Sequence, residues 1–316
     1  MRQQAQTHPA PSGYADRPAT RVPPWHGLVA WDMFFNGLTT GLFLTAAISE
    51  LMVPATFAPL AQVAYPLALV LLLIDLGCLV GDLGDPLRFH HMLRVVKLGS
   101  PMSVGTWCLT IYSLPLTLLA VASLLNWPIF DRVRDLVPSG AISLLEWVRK
   151  PAVVSAILPA IGSVVYKGVL ISTNSQPGWK QARWLGGYLT SAAPLLGATL
   201  LFFLALLMKQ ERAVATLRIC LLPLLALNFV VVVLLFRDVR EVLESRWEIR
   251  QRLWIVLVSI GCGLIGPLAL WPFSRAGVAA LVLVASILAA NVFIRYVIVL
   301  LPHPPHTHRE RRDGGF

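Results

Sequence analysis

The sequence predicts an all-α integral membrane protein in which eight transmembrane helices form one bundle. Hydrophobic residues make up 56% of the 316 residues and charged residues only 13%, whereas charged residues approach a quarter of an ordinary soluble domain. The mean hydropathy is +0.70. Apolar runs long enough to cross a bilayer follow one another along the chain. The predicted spans are 28–52, 58–81, 101–125, 152–173, 188–208, 214–236, 253–272 and 277–300.

Polar segments flank the predicted membrane domain, which covers residues 28–300. Residues 1–27 are rich in proline and lack the apolar core of a signal peptide, so we expect a polar, flexible N-terminal segment. Residues 301–316 form a polar C-terminal tail. An even number of spans places both termini on one side of the membrane. We name this side A and the opposite side B.

Most of the 26 Lys and Arg residues belong to the segments on side A. Cytoplasmic loops carry an excess of basic residues, so this distribution slightly favours the cytoplasm for side A. The predicted location is a bacterial-type inner membrane. A basic docking face for an acidic partner produces the same distribution, so the sequence alone leaves the orientation open.

The cysteines and histidines indicate that the chain carries no redox centre of its own. Each of the four cysteines falls in a different predicted span, with no CxxC pair that would suit an iron–sulfur cluster. No histidine lies deep within a span, whereas a membrane cytochrome b holds haem between histidines of facing helices. We therefore expect no haem, no iron–sulfur cluster and no other metal in this chain.

Ionisable and amide side chains recur in the side A half of five predicted spans. Such groups are costly inside a bilayer and normally face a partner helix or a cavity. Spacings of four or seven residues place several of them on a common helix face. The residues are Asp32 and Asn36 in the first span, Asp75 and Asp82 in the second, Tyr166 and Lys167 in the fourth, Asn228 in the sixth, and Asn291 and Arg295 in the eighth.

Two interpretations of these polar residues remain open at this point. In the first, they form a structural network that joins helices, with Asp32 paired to Lys167 and Asp75 paired to Arg295. In the second, they line a cavity in the side A half that accepts a polar headgroup from the lipid and exchanges protons. Asp32 and Asp75 would then be the proton carriers, because burial beside a cation tunes the proton affinity of a carboxylate.

The connector between the second and third spans carries the most specific sequence pattern. It reads DLGDPLRF at 82–89 and leads through a basic segment to SPMSVG at 100–105. Three further segments are FFNGLTTG at 34–41, YKGVLIS at 166–172 followed by QPGW, and IRYVIV at 294–299. Together they resemble the NrfD/PsrC family, the integral membrane subunits of polysulfide-reductase-type molybdoenzyme complexes.

The resemblance implies a haem-free bundle that exchanges electrons and protons between a quinone, menaquinone or ubiquinone, and a partner subunit. By position, Tyr166 would hold a quinone oxygen, and Asn36 or Asp32 would bind or protonate the quinone. Lys167 and Arg295 complete the expected quinone site. Tyr166, Asp32 and Asp75 are the expected catalytic residues.

The expected partners are a ferredoxin-like iron–sulfur subunit and a molybdenum or other redox catalytic subunit. The lipid bilayer surrounds the chain, and no nucleic acid is expected. The docking surface for the iron–sulfur subunit would lie on the side A connector. Its expected residues are Asp82, Asp85, Arg88, His91, Arg94 and Lys97.

Two other functions are compatible with the same composition. A small-molecule or ion transporter would use the polar half-cavity for its substrate, and such proteins commonly show internal repeats and discontinuous helices. No convincing repeat is visible in this sequence. A passive tether would only hold a soluble enzyme at the membrane, and it would bind no quinone.

Overall fold

The computed structural model describes residues 27–83, 85–174, 176, 178–275 and 277–302. Within these ranges the regular secondary structure is entirely helical, with no strands, and eight long helical segments make up most of it. The first four are α1 (Gly27–Met52), α2 (Pro54–Gly81), α3 (Pro101–Leu124) and α4 (Ser139–Ser172). The others are α5 (Leu185–Leu207), α6 (Glu211–Arg246), α7 (Ile249–Phe273) and α8 (Gly277–Leu300).

These segments confirm the predicted all-α membrane bundle. Seven of them, α2 to α8, are long and apolar enough to cross a membrane among the described residues. The exception is α1, whose 26 residues span roughly 39 Å at 1.5 Å per residue. It contains Asp32, Asn36 and Glu50, which lower its hydropathy. Because α1 packs against α2, α4, α5 and α8, much of its surface meets protein rather than lipid.

The close crossing of α1 and α5 fixes the centre of the bundle. A Cβ atom on Gly41 would lie 1.9 Å from the carbonyl oxygen of Ala193, and one on Gly197 would lie 2.0 Å from the backbone of Gly41. Only glycine at both positions permits this contact, because any side chain would push the two backbones apart. The crossing places the polar face of α1 in the middle of the bundle.

Two helices extend further than the sequence pattern predicts. The apolar pattern of the fourth span begins at residue 152, but residues 139–150 already form the first turns of α4, which continues through Pro151 and Pro159. A separate short helix covers Asp131–Leu136. At the other side, α6 continues to Arg246. Charged residues near these helix ends interrupt the apolar sequence pattern, but the helices continue through them.

A break in regular α geometry distinguishes α7 from its neighbours. Its α-helical part Ile249–Ile260 passes into a π-helical turn, Gly261–Ile265, before one further α turn at Gly266–Leu270. Two glycines in the π turn and Pro267 just beyond it account for the local change. Proline removes a backbone donor, and glycine lets the backbone depart from regular α-helical geometry.

The apolar core has one large cluster in the side B half and another in the side A half. The first includes Leu60, Leu116 and Phe202, and the second includes Trp179, Leu189 and Val239. The polar side chains predicted to cluster near side A lie beside the second core. The expected terminal segments, 1–27 and 301–316, fall almost entirely outside the described residues.

Candidate functional site

A buried ion cluster joins α1, α2 and α4 in the side A half. Lys167 Nζ lies 2.8 Å from Asp32 Oδ1 and 2.9 Å from Asp75 Oδ1. It also donates a hydrogen bond of 3.3 Å to the backbone carbonyl of Asp32. Asn36 Nδ2 donates to Asp75 Oδ2 at 3.0 Å. All four residues are buried, so Lys167 holds two carboxylates away from water.

The composition of this cluster makes it suited to hold a proton. Two carboxylates share one ammonium group, so the cluster is electrically neutral only when one carboxylate carries a proton. An uncompensated charge in a low-dielectric interior is costly, and the protonated form removes it. The arrangement also makes Asn36 a positioning residue, because its amide fixes the Asp75 carboxylate that Lys167 contacts.

A pocket of about 60 Å³ opens beside this cluster. Tyr166, Lys167, Asp32 and Asp82 supply its polar lining. Its apolar lining consists of Val29, Met33, Leu79, Met102, Leu170 and Ile171. The pocket therefore combines an apolar wall with a phenol, an ammonium and carboxylates, and it lies where α2 ends and the side A connector begins.

The ring of Tyr166 is seated against α3. A Cβ atom on Gly105 would lie 2.0 Å from the Tyr166 ring, so only glycine at position 105 leaves room for it. The Lys167 ammonium lies 5.9 Å from the ring centroid. Gly105 closes the SPMSVG motif, and this contact explains why the third span must begin with a small residue facing α4.

Arg295 belongs to a second polar cluster, formed by α1, α5 and α8. Its Nη1 donates to Tyr188 Oη at 3.0 Å and to Asn291 Oδ1 at 3.0 Å. Its Nε donates to the backbone carbonyl of Met33 at 3.3 Å. Arg295 is fully buried, and it forms no ion pair with an acidic residue within the described ranges.

The pairing predicted for the two cations is therefore half wrong. Lys167 pairs with Asp32 as expected, but it also takes Asp75, which was expected to pair with Arg295. Arg295 does not line the pocket beside Tyr166. The polar residues form an interhelical network, as the first interpretation expected, and some of them also line a cavity. Headgroup binding and proton exchange in that cavity stay a prediction. Asn228 is engaged separately, donating to Ser191 Oγ at 3.1 Å.

The expected docking residues lie on an exposed connector above the pocket. A 3₁₀ helix, Pro86–Leu93, contains no buried residue. Arg88 pairs with Asp85 at 2.9 Å, and both are exposed. Local desolvation and the positive charge of Arg94 lower the pKa of His91, so at neutral pH the positive charge here comes from arginine and lysine side chains rather than from His91.

The remaining residues expected to dock a partner divide between the surface and the pocket. Arg94 and Lys97 are exposed, as are the apolar side chains of Leu87 and Leu98, each 84% exposed. Asp82 is half-buried and lines the pocket, which links the connector to the ion cluster. A surface of this kind, basic with exposed apolar groups, is typical of a protein-binding site.

Sequence reasoning missed a third polar cluster, on side B. Arg149 Nη2 lies 2.7 Å from Glu50 Oε1, and Tyr65 Oη donates to Glu50 Oε2 at 2.5 Å. The Arg149 guanidinium also lies 5.5 Å from the centroid of the Tyr65 ring. Glu50 and Arg149 border a cavity of about 200 Å³. The only signal was an acid and a base at the side B ends of two spans.

No group of three His, Cys, Asp or Glu residues is arranged to hold a metal ion in the part of the chain that the structure describes. The fold and the buried cluster define a multi-pass helical membrane protein with a polar site beneath one face. A family model described as "Polysulphide reductase, NrfD" matches residues 18–302, nearly the whole chain. The chain belongs to the NrfD family, a family of membrane-embedded subunits of polysulfide-reductase-like complexes. No curated protein matches it.

Proposed function

We propose that this chain is the quinone-reactive, haem-free membrane subunit of a respiratory oxidoreductase complex. The observation that carries the proposal is the pocket lined by Tyr166, Lys167, Asp32 and Asp82, directly beneath an exposed connector. Family membership supports it, because NrfD proteins are quinone-reactive in general. The proposed location is a bacterial-type inner membrane, with side A slightly favoured as cytoplasmic.

The lining of the pocket fits a quinone headgroup in its chemistry. Quinone oxygens accept hydrogen bonds from a phenol or an ammonium, and the ring itself suits apolar walls such as Leu79 and Met102. A volume of about 60 Å³ admits only the edge of a ring. Binding therefore requires lining side chains to move, and Met102 is unbranched and adapts readily.

A bound quinone, menaquinone or ubiquinone, supplies two-electron chemistry that is coupled to two protons. In the proposed mechanism, Tyr166 donates a hydrogen bond to a quinone oxygen and orients the ring. Asp32 lines the pocket and shares Lys167 with Asp75, so a proton held between the two carboxylates can reach the site from Asp32. Asn36 keeps Asp75 in place. We assign no quinone contact to Arg295.

The connector is the proposed contact for an iron–sulfur partner, with Asp82, Asp85, Arg88, His91, Arg94 and Lys97 as the docking residues. NrfD proteins partner with iron–sulfur and molybdenum subunits in general. Electron transfer by tunnelling requires a short distance, and the pocket lies immediately below this surface. The substrate of the complex would be set by the catalytic subunit rather than by this chain.

Replacing Tyr166 by phenylalanine tests the proposal. We expect Tyr166→Phe to reduce quinone-linked electron transfer by about tenfold to a hundredfold, since one hydrogen bond to the reacting group is lost. The measurement is quinone-dependent turnover of the complex in native membranes, alongside co-purification of its soluble subunits. Tyr112→Phe is the matched control, because Tyr112 is buried on α3 and hydrogen-bonds Thr39 instead.

Full turnover by Tyr166→Phe in an assembled complex would contradict the assignment of the site. If the complexes with Tyr166→Phe and with Tyr112→Phe both assemble normally and their turnover does not depend on quinone, the result would instead favour a passive tether. Co-purification separates a lost reaction from a lost subunit, so the readout does not depend on stability alone.

A further inference from the structure

Two grooves flank the side A end of α7 and meet at Ile255. The groove bounded by α1, α7 and α8, here the α7–α8 groove, has a volume of about 640 Å³. The groove between α6 and α7, here the α6–α7 groove, has a volume of about 320 Å³. Both volumes fall within the range of roughly 300–1,000 Å³ that is common for ligand sites. Ile255 lines both grooves.

The α7–α8 groove suits a hydrocarbon chain. Its lining is almost wholly apolar and includes Trp31, Trp254, Phe293 and Tyr296. It is built from helices that cross the membrane, so its open face meets lipid rather than water. Tryptophan and tyrosine are enriched where acyl chains meet headgroups, which places this groove at the side A boundary of the bilayer.

The α6–α7 groove adds charge to the same region. Arg252 lines it, is half-buried and forms no ion pair in the described part of the chain. Arg240 also lines it but is paired with Glu244 at 2.7 Å. The groove therefore holds two arginines and one glutamate, Glu244, whose carboxylate interacts electrostatically with both arginines, so one positive charge is in excess.

Two buried donors near Ile255 have no acceptor among the described residues. They are Nε of Arg252 and Nε1 of Trp247, which lines the α7–α8 groove and is 7% exposed. A buried donor without an acceptor costs free energy, and a charged donor costs more. An anionic group beside Arg252 would supply an acceptor for its Nε.

We propose that these grooves bind one anionic phospholipid. Its phosphodiester contacts Arg252 between the grooves, and its two acyl chains lie on either side of Ile255. Arginine forms strong charge-assisted hydrogen bonds to phosphate, and basic pockets between transmembrane helices select anionic headgroups. A zwitterionic headgroup would bring a second cation close to Arg252 and Arg240, so the site discriminates against it.

Tryptophan fluorescence provides the test, because Trp31, Trp247 and Trp254 line the α7–α8 groove. The full chain is placed in phosphatidylcholine nanodiscs that contain increasing fractions of phosphatidylglycerol with brominated acyl chains, which quench nearby tryptophans. We expect saturable quenching by the anionic lipid at low mole fraction. Arg252→Gln raises the half-saturating fraction about tenfold, since one charge-assisted interaction is lost. Arg250→Gln, an exposed neighbour that lines neither groove, leaves it unchanged.

Three results would overturn the proposal. Equal half-saturation by brominated phosphatidylcholine would show that the grooves take any annular lipid. An equal shift in both arginine variants would assign the effect to general surface charge. A quinone rather than phosphatidylglycerol retained by the chain in native mass spectrometry would assign the α7–α8 groove to a quinone tail. Ala289→Phe fills that groove without altering charge, and we expect it to remove the saturable component.

Discussion

Lys167 and Arg295 are both buried cations in the side A half, yet they have different kinds of partner. Each donates to a carbonyl oxygen of α1, Lys167 to that of Asp32 and Arg295 to that of Met33. Lys167 has two carboxylates as further partners and lines a pocket. Arg295 has the neutral groups of Tyr188 and Asn291 as further partners and does not line that pocket.

In our proposal, this difference distinguishes a proton-exchanging site from a structural one. A cluster with more acids than bases has a place for a mobile proton, and a pocket gives that proton a destination. The neutral acceptors around Arg295 bind its Nε and Nη1, whereas its buried Nη2 has no acceptor among the described residues. This cluster holds no exchangeable proton, because arginine remains protonated in proteins. The Lys167 cluster is therefore the chemical site in our proposal, and the Arg295 cluster joins α8 to α1 and α5.

The largest effect on stability is expected from removing the Lys167 ammonium. Lys167→Met leaves Asp32 and Asp75 facing each other without a cation, and breaking a buried ion pair on one side costs about 3–5 kcal/mol. Unfolding of the chain in mild detergent measures the loss. We expect the triple variant that combines Lys167→Met with Asp32→Asn and Asp75→Asn to regain most of the lost stability. A loss below about 1 kcal/mol, the value of an exposed pair, would show that the cluster is hydrated.

A smaller loss of stability is expected when Arg295 is replaced, although its side chain is larger than that of Lys167. Arg295→Met removes its hydrogen bonds to Tyr188 and Asn291, and bonds to a charged donor contribute about 1.5–3 kcal/mol. It also removes a buried charge that has no acidic partner, which offsets part of the loss. We therefore expect about 2 kcal/mol in the same unfolding measurement. Assembled complexes should retain quinone-linked turnover. Loss of turnover in a normally assembled Arg295→Met complex would instead indicate that Arg295 contributes to the quinone site.

The sequence predicted the bundle well because membrane solvation leaves few alternatives. Apolar runs longer than a bilayer is thick must be helical, and polar residues within them must face protein. For this reason the sequence alone indicates that Asp32, Asp75 and Lys167 face other helices. The helix ends at Ser139 and Arg246 were not predicted, because a helix can continue into water after its apolar pattern has ended.

Partner choice within the polar clusters could not be predicted, because it depends on rotation and packing of whole helices. Asp75 lies 92 residues from Lys167 in sequence, and nothing in the pattern decides between Lys167 and Arg295 as its partner. Glu50 and Arg149 are separated by 99 residues, and nothing in the sequence pattern pairs them. Local spacing shows which residues share a helix face but not which face another helix meets.

A change at Gly105 removes no charged interaction, so it tests the pocket by shape alone. The Cβ atom of Gly105→Ala would overlap the Tyr166 ring, and overpacking of this kind costs about 1–3 kcal/mol. Displacement of the ring should lower quinone-linked turnover while the Lys167 cluster stays intact. Gly77→Ala is the control, because its Cβ would meet nothing within 4 Å. Equal turnover in both variants would show that the position of the Tyr166 ring does not limit the reaction, and the case for Tyr166 over the ion cluster would fall.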